Sequence, residues 1–222
     1  MIVKIKNKAG IVFGFVLLAT IFCSSCTATK EISYAEMFSE INNWIIDKVK
    51  ENAEDTSISR SDIVIDQIYY GSFSQKDANS LKEANEILVL CKLQNTPHAG
   101  GLDRTAGLLL SADSMEVVAY HEFAADKVII NCLHTNSGEN RVLFLGTTTY
   151  QGISTQEAQL YAIKDGKWIE LPVSNVDLDK GYLSFVDDNS LIVTTKEEIT
   201  SPEDILEILI WNQGIGQFVL VE

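Results

Sequence analysis

The chain has 222 residues, 17 Lys and Arg against 31 Asp and Glu, and a formal net charge of −14. With 46% apolar residues and only 3 prolines it reads as an ordinary globular protein, which excludes a disordered or fibrous chain. A pI near 4.6 leaves no basic footprint for phosphates, so nucleic acid is excluded as a partner.

The first segment reads as an address. Lys4, Lys6 and Lys8 precede a continuous apolar run from Ile11 to Phe22, long enough for a signal h-region and short for a bilayer span. Small residues then lead to a cysteine, Cys23-Ser24-Ser25-Cys26. This arrangement resembles the lipobox of bacterial lipoproteins, with Cys23 where that motif usually has an aliphatic residue. The resemblance implies a signal peptide over 1–25, lipid attachment at Cys26, and a tether over 26–31. It also implies a place on the cell membrane, facing outside the cytoplasm, held there by the lipid. A cleaved secretory signal and an uncleaved N-terminal anchor are the other readings. Loss of residues 1–25 removes three lysines and no acid, which takes the charge from −14 to −17. A body so negative is repelled by anionic headgroups and stands off the bilayer on its tether.

Residues 32–55 form the first predicted element. Ser33 and Glu36 have the spacing of a capping box, and Tyr34, Met37, Phe38, Ile41, Ile45 and Val49 recur at helical spacing. The expectation is one amphipathic helix of about five turns, whose apolar stripe either packs on the rest of the chain or binds a partner protein.

From 62 to 222 the pattern changes to short β runs between turn residues. They group into three units. The first holds runs at 62–70, 86–93, 104–112 and 115–123, the second runs at 126–134, 141–149, 158–164 and 167–172, and the third runs at 178–186, 190–196, 205–211 and 217–222. The last two runs of each unit are joined by a tight turn, including Asp165-Gly166, a strong hairpin signal. The fold class is mainly β: about twelve antiparallel strands in three propeller-blade-like units preceded by one helix, with a β-sandwich or barrel as the alternative.

The rhythm of these units, and Gly71-Ser72-Phe73 leading to Glu86-Ile87-Leu88-Val89, resemble four-stranded blades of the FG-GAP/VCBS type. In that family an Asp-rich calcium loop lies between these segments. Here Asp77 and Asn79 alone do not supply six to eight oxygen ligands, so no calcium is implied. The Gly-Leu-Asp-Arg-Thr segment at 101–105 and the Gly-Thr-Thr-Thr-Tyr-Gln-Gly segment at 146–152 are also similar to segments of uncharacterised bacterial lipoproteins. Propellers typically need four blades to close, so three sheets leave open edges for the helix or another chain to cover.

Outside the signal segment the cysteines are Cys91 and Cys132, each in an apolar run, and the sequence leaves open whether they form a disulfide or two buried thiols. No Cys or His cluster has zinc spacing, and no metal or cofactor is expected.

The connection between the second and third strands of each unit is the unusual one. In the first it runs from Gln94 through His98 to Asp103 and Arg104. In the second it follows Thr147, Thr148 and Thr149 and contains Tyr150 and Gln151, and in the third it spans 197–203. Loops on a rigid scaffold are where binding residues concentrate. His98, Asp103, Arg104, Thr147, Thr149, Tyr150 and Gln151 are therefore the candidate ligand-binding residues. Each also has a plain structural reading: a solvated loop histidine, a pinned Asp-Arg turn, or ordinary strand threonines. No Gly-x-Ser-x-Gly elbow, His-Glu-x-x-His or phosphate-cradling glycine loop is present, so no catalytic residue is assigned. The expected function is a membrane-anchored extracytoplasmic binding or interaction module. Its partner would be an envelope protein, a glycan or a small polar ligand. A small extracytoplasmic hydrolase or a structural subunit of an envelope complex are the alternatives.

Overall fold

The computed structural model describes residues 3–4, 34–74, 86–98, 101–150, 153–174, 176, 178, 181–187, 189–196 and 198–221. Cys26, the tether, Ser33, Asp77, Asn79 and Gln151 lie outside the described residues. The elements in chain order are β1 (Val3–Lys4), α1 (Tyr34–Asn52), β2 (Ile63–Gly71), β3 (Glu86–Leu93), β4 (Arg104–Ser111) and β5 (Val117–Phe123). There follow β6 (Lys127–His134), β7 (Asn140–Tyr150), β8 (Ile153–Lys164), β9 (Lys167–Leu171), β10 (Tyr182–Asp187), β11 (Ser190–Thr194), β12 (Ile205–Asn212) and β13 (Gln217–Leu220).

Each group of four consecutive strands makes its own antiparallel sheet. Sheet 1 is β2 to β5 with β1 added at the β2 edge, sheet 2 is β6 to β9, and sheet 3 is β10 to β13. None closes into a barrel. Val3 and Lys4 pair with Tyr70 and Tyr69, so removal of residues 1–25 would return β2 to an open edge. The Asp165-Gly166 hairpin is formed with both residues at positive φ (51° and 74°), the conformation a tight two-residue turn between twisted strands requires.

Side-chain alternation stacks the sheets into layers. On β3, Ile87, Val89, Cys91 and Leu93 point to α1, where Ile45 and Val49, with Ala53 just past the helix end, cover them. Leu88 and Leu90 point the other way, toward sheet 2. On β7, Val142 and Phe144 meet sheet 1, while Leu143 and Leu145 meet Leu191, Val193, Leu209, Trp211 and Phe218 of sheet 3. The order is therefore α1, sheet 1, sheet 2, sheet 3. Strands buried on both faces need apolar residues at consecutive positions, which is why β3 reads EILVLCKL. The helix ends at Asn52 rather than near Asp55, because Asp55 turns its carboxylate back on the Ser57 N–H (2.8 Å) and starts a turn.

Cys91 and Cys132 are both free thiols. They belong to different layers, Cys91 facing α1 and Cys132 donating to Ser72 O at 3.8 Å, and burial pushes each thiol up to about 12. Neither is a reactive thiolate.

The loop before β12 is held by one carboxylate. Asp204 accepts the N–H groups of Thr200 (2.7 Å) and Ser201 (2.8 Å) and pairs with Lys196 at 3.0 Å. The Lys196 contact and these N–H groups hold its acid well below the ordinary carboxylate range. A depressed folded value gives stability that is present above the unfolded value, near 4, and is lost as pH falls through the folded one. The Asp204→Asn variant is accordingly expected to show a shallower loss of melting temperature than the parent protein below about pH 4. Parallel acid limbs in the two titrations would contradict this.

Candidate functional site

The link between sheets 1 and 2, residues 124–126, is where the sequence-predicted residues gather. Asp126 Oδ1 accepts the N–H of Asp103 (3.3 Å) and Oδ2 accepts that of Thr149 (2.7 Å). The Asp126 N–H donates to Thr147 O (3.1 Å). Thr105 and Thr148 donate their hydroxyls to Ala125 O (2.9 Å) and Ala124 O (3.2 Å). The 94–103 loop closes on the same point: His98 and Gly101 exchange backbone hydrogen bonds at 3.1 and 3.3 Å. A Cβ on Gly101 would stand 2.5 Å from His98 Nε2 and 2.8 Å from Asp126 Oδ1, so only glycine lets these groups approach.

His98, Asp103, Thr147 and Thr149 are thus brought together. Asp103 also pairs with Lys92 at 2.7 Å and accepts the Asn95 N–H at 3.0 Å. Burial works against its carboxylate, but Lys92 and Asn95 outweigh that and hold its acid below the usual range.

Arg104 does not join them. Neighbours on a strand point to opposite faces, and Arg104 turns to Glu54 (3.3 Å) and Glu122 (3.6 Å). Glu122 has a side chain only 2% exposed and accepts from Tyr120 Oη and the Glu54 N–H, both at 2.8 Å. The guanidinium therefore balances a buried carboxylate, at the wall of a separate cleft of about 350 Å³ that Leu93 and Thr96 also line. Asp103 and Arg104 each have their own partner instead of pairing with each other.

The second-unit connection is not a long loop. β7 and β8 run on through Thr147 to Tyr150 and Ile153 to Gln156, with Thr147 opposite Gln156 and Tyr150 opposite Ile153. Only 151–152 lie between them. The threonines favour this because β-branched side chains suit an extended backbone. Tyr150 is placed by its backbone as the last residue of β7.

A cleft of about 330 Å³ opens beside the link. Phe123 and Phe144, stacked at 4.2 Å and buried, lie beneath it. Thr148, Thr155, Gln156, Glu157 and Gln159 form its rim. Gln156 is committed, since its Oε1 accepts the Leu183 N–H at 2.6 Å. Behind these rings, His121 lies 3.1 Å from Tyr161 Oη, Tyr161 donates to Gln159 Oε1 (3.3 Å), and Gln159 donates to Glu157 Oε1 (3.3 Å). Because Tyr161 spends its proton on Gln159, His121 must donate through Nε2. Burial lowers the His121 pKa, so the ring sits in this chain as neutral imidazole near neutral pH. A donor chain thus runs from the aromatic interior to the cleft rim.

The sequence reading missed Phe123, Phe144, Glu157 and Gln159. Its available signal was the period of two on β8, which puts Glu157, Gln159 and Tyr161 on one face. Asp126 gave no signal, because its role depends on two N–H groups from distant strands. Among the described residues no group of three or more His, Cys, Asp or Glu could hold a metal ion, and no helix is long and apolar enough to cross a membrane. No family model, curated protein or solved structure matches the chain.

Proposed function

We propose that this chain is a lipid-anchored binding module working outside the cytoplasm, with three blade-like sheets as its scaffold. In this reading the cleft beside residues 124–126 takes one ring of a sugar or a small polar ligand of similar shape. The observation that supports it is the cleft itself. Its size is at the lower end of small-molecule sites, and its lining mixes apolar and polar groups. A sugar offers C–H groups on one face and hydroxyls at its rim. The exposed Ala124 on the cleft wall suits the first, and Glu157, Gln159 and Thr155 suit the second. The tie through Asp126 holds both sheets in place, so the rim is preorganised. The signal-like N-terminus with Cys26 supports the placement, and the acidic body is consistent with a module held clear of the bilayer.

The test is calorimetric titration of the full chain in detergent with a panel of mono- and disaccharides found in cell envelopes. One of them is expected to bind, and Glu157→Ala and Gln159→Ala are each expected to weaken it by about 10-fold, the worth of one or two hydrogen bonds. Both variants should keep the parent melting temperature. Absence of heat with every sugar, or binding untouched by both substitutions, would contradict the reading.

A further inference from the structure

We infer that the cleft beside the C-terminal end of α1 is a second binding site, and that it takes a free α-amino acid as its zwitterion. The inference rests neither on the sugar reading nor on the anchor. The cleft, of about 350 Å³, lies where the residues after α1 meet Thr96, Pro97 and the start of β4. Arg104 of β4 and Glu122 of β5 stand together at its wall. The Glu122 side chain is only 2% exposed, yet all its hydrogen bonds fall on one oxygen. Oε1 accepts both Tyr120 Oη and the Glu54 N–H. The nearest donor to Oε2 among the described residues is Arg104 Nη1 at 3.6 Å, too far for a hydrogen bond. A buried carboxylate oxygen left without a donor is costly, so this wall has room in its chemistry for one. Arg104 is half used in the same way. Nη1 alone reaches protein carboxylates, Glu54 at 3.3 Å and Glu122 at 3.6 Å, while Nη2 and Nε have no hydrogen-bond partner among the described residues. The side chain is 30% exposed, so that edge is reachable, and it is an edge that takes a carboxylate through two parallel hydrogen bonds.

The charges select the ligand. Glu54, Asp55 and Glu122 line the cleft against the single cation Arg104. Asp55 is committed, since it accepts the Ser57 N–H and hydroxyl at 2.8 and 2.6 Å. What remains is a guanidinium with an open edge beside two carboxylates. A plain carboxylate would meet Arg104 but also the excess negative charge, on a chain whose net charge is −14. A plain amine would meet the carboxylates but also the guanidinium. A molecule with ammonium and carboxylate on one carbon answers both and adds no net charge. Its carboxylate lies on Nη2 and Nε of Arg104, and its ammonium donates to Glu122 Oε2 and to the exposed Glu54. Its side chain turns to Pro97, the exposed apolar residue of the lining. A cleft at the lower end of small-molecule sites suits one amino acid rather than a peptide. The serine headgroup of a lipid shares this chemistry, but its phosphodiester would bring a further negative charge to an acidic cleft, which leaves the free amino acid.

The test is calorimetric titration of the full chain in detergent with L-alanine, L-valine and L-leucine. Each is compared with the amine that remains without its carboxylate and the acid that remains without its ammonium; for leucine these are isoamylamine and isocaproate. At least one amino acid is expected to bind, and its two counterparts to bind at least ~10-fold more weakly, since each lacks one charged hydrogen-bonding group. Glu54→Gln removes a charge from a side chain that is 66% exposed and is expected to weaken binding by about 10-fold at the parent melting temperature. Arg104→Lys keeps a positive charge beside Glu122 but loses the fork, and is expected to weaken binding at least as much. Should lysine fail to support the fold, Glu54→Gln carries the reading alone. Gln159→Ala, in the other cleft, should leave amino-acid binding unchanged, which separates failure here from failure of the sugar reading. No heat with any of the three amino acids would overturn the inference. An amine or acid that binds as tightly as its amino acid would overturn it too, since the site would then recognise a single charge. Binding untouched by Glu54→Gln, or lost in Gln159→Ala, would overturn it equally.

Discussion

Phe144→Ala is expected to lower the stability of the chain by about 3–5 kcal/mol, the cost of emptying an aromatic site in a core that cannot collapse. Phe144 is 1% exposed and lies between two layers. It stacks on Phe123 at 4.2 Å and meets the edges of Tyr161 (5.7 Å) and Trp168 (5.4 Å). Its strand is fixed on both faces, because Leu143 and Leu145 are locked against sheet 3. The backbone therefore cannot move to fill the space, and the loss includes both transfer and cavity costs. Urea unfolding should show the lower midpoint, with Phe144→Leu falling between the variant and the parent. A change below about 1 kcal/mol would mean that sheets 1 and 2 are not packed through this ring.

Arg104→Ala is expected to destabilise the chain by about 3 kcal/mol, because it strands the Glu122 carboxylate without a countercharge. The Tyr120 hydroxyl and the Glu54 N–H remain, so Glu122 is not left without hydrogen bonds. What is missing is the positive charge that offsets its burial. Adding Glu122→Gln to Arg104→Ala is therefore expected to restore a substantial part of the loss, since a neutral amide can still accept both hydrogen bonds. Thermal unfolding of the two single variants, the double variant and the parent gives this coupling directly. Additive losses, or an Arg104→Ala protein as stable as the parent, would show that Arg104 does not balance Glu122.

Much of the scaffold could be read from side-chain order alone, for a physical reason. A strand buried on both faces must be apolar at consecutive positions, and β3, β4 and β7 announce themselves in this way. The helix followed from its stripe, and Ile45 and Val49 of that stripe are among the most buried residues. The Asp165-Gly166 turn followed from the conformational freedom its twist demands. The site was less legible. Thr147 to Tyr150 carry polar groups that read as a binding loop, yet the same β-branched and aromatic side chains extend a hairpin. Arg104 follows Asp103 in the chain, but strand geometry sends the two to different partners. Asp126 was invisible because a carboxylate that accepts from Asp103 and Thr149 is defined by sheet packing, and no local pattern encodes that.

The proposed placement of the cleft outside the cytoplasm rests on one proposed chemical event, the fastening of the chain by lipid at Cys26. The decisive measurement is the intact mass of the protein recovered from membranes of cells grown with labelled palmitate. The account predicts a chain lacking residues 1–25, heavier than the bare polypeptide by its acyl groups, with the label lost in Cys26→Ala. An unlabelled chain that keeps residues 1–25 and is recovered from the cytosolic fraction would contradict it.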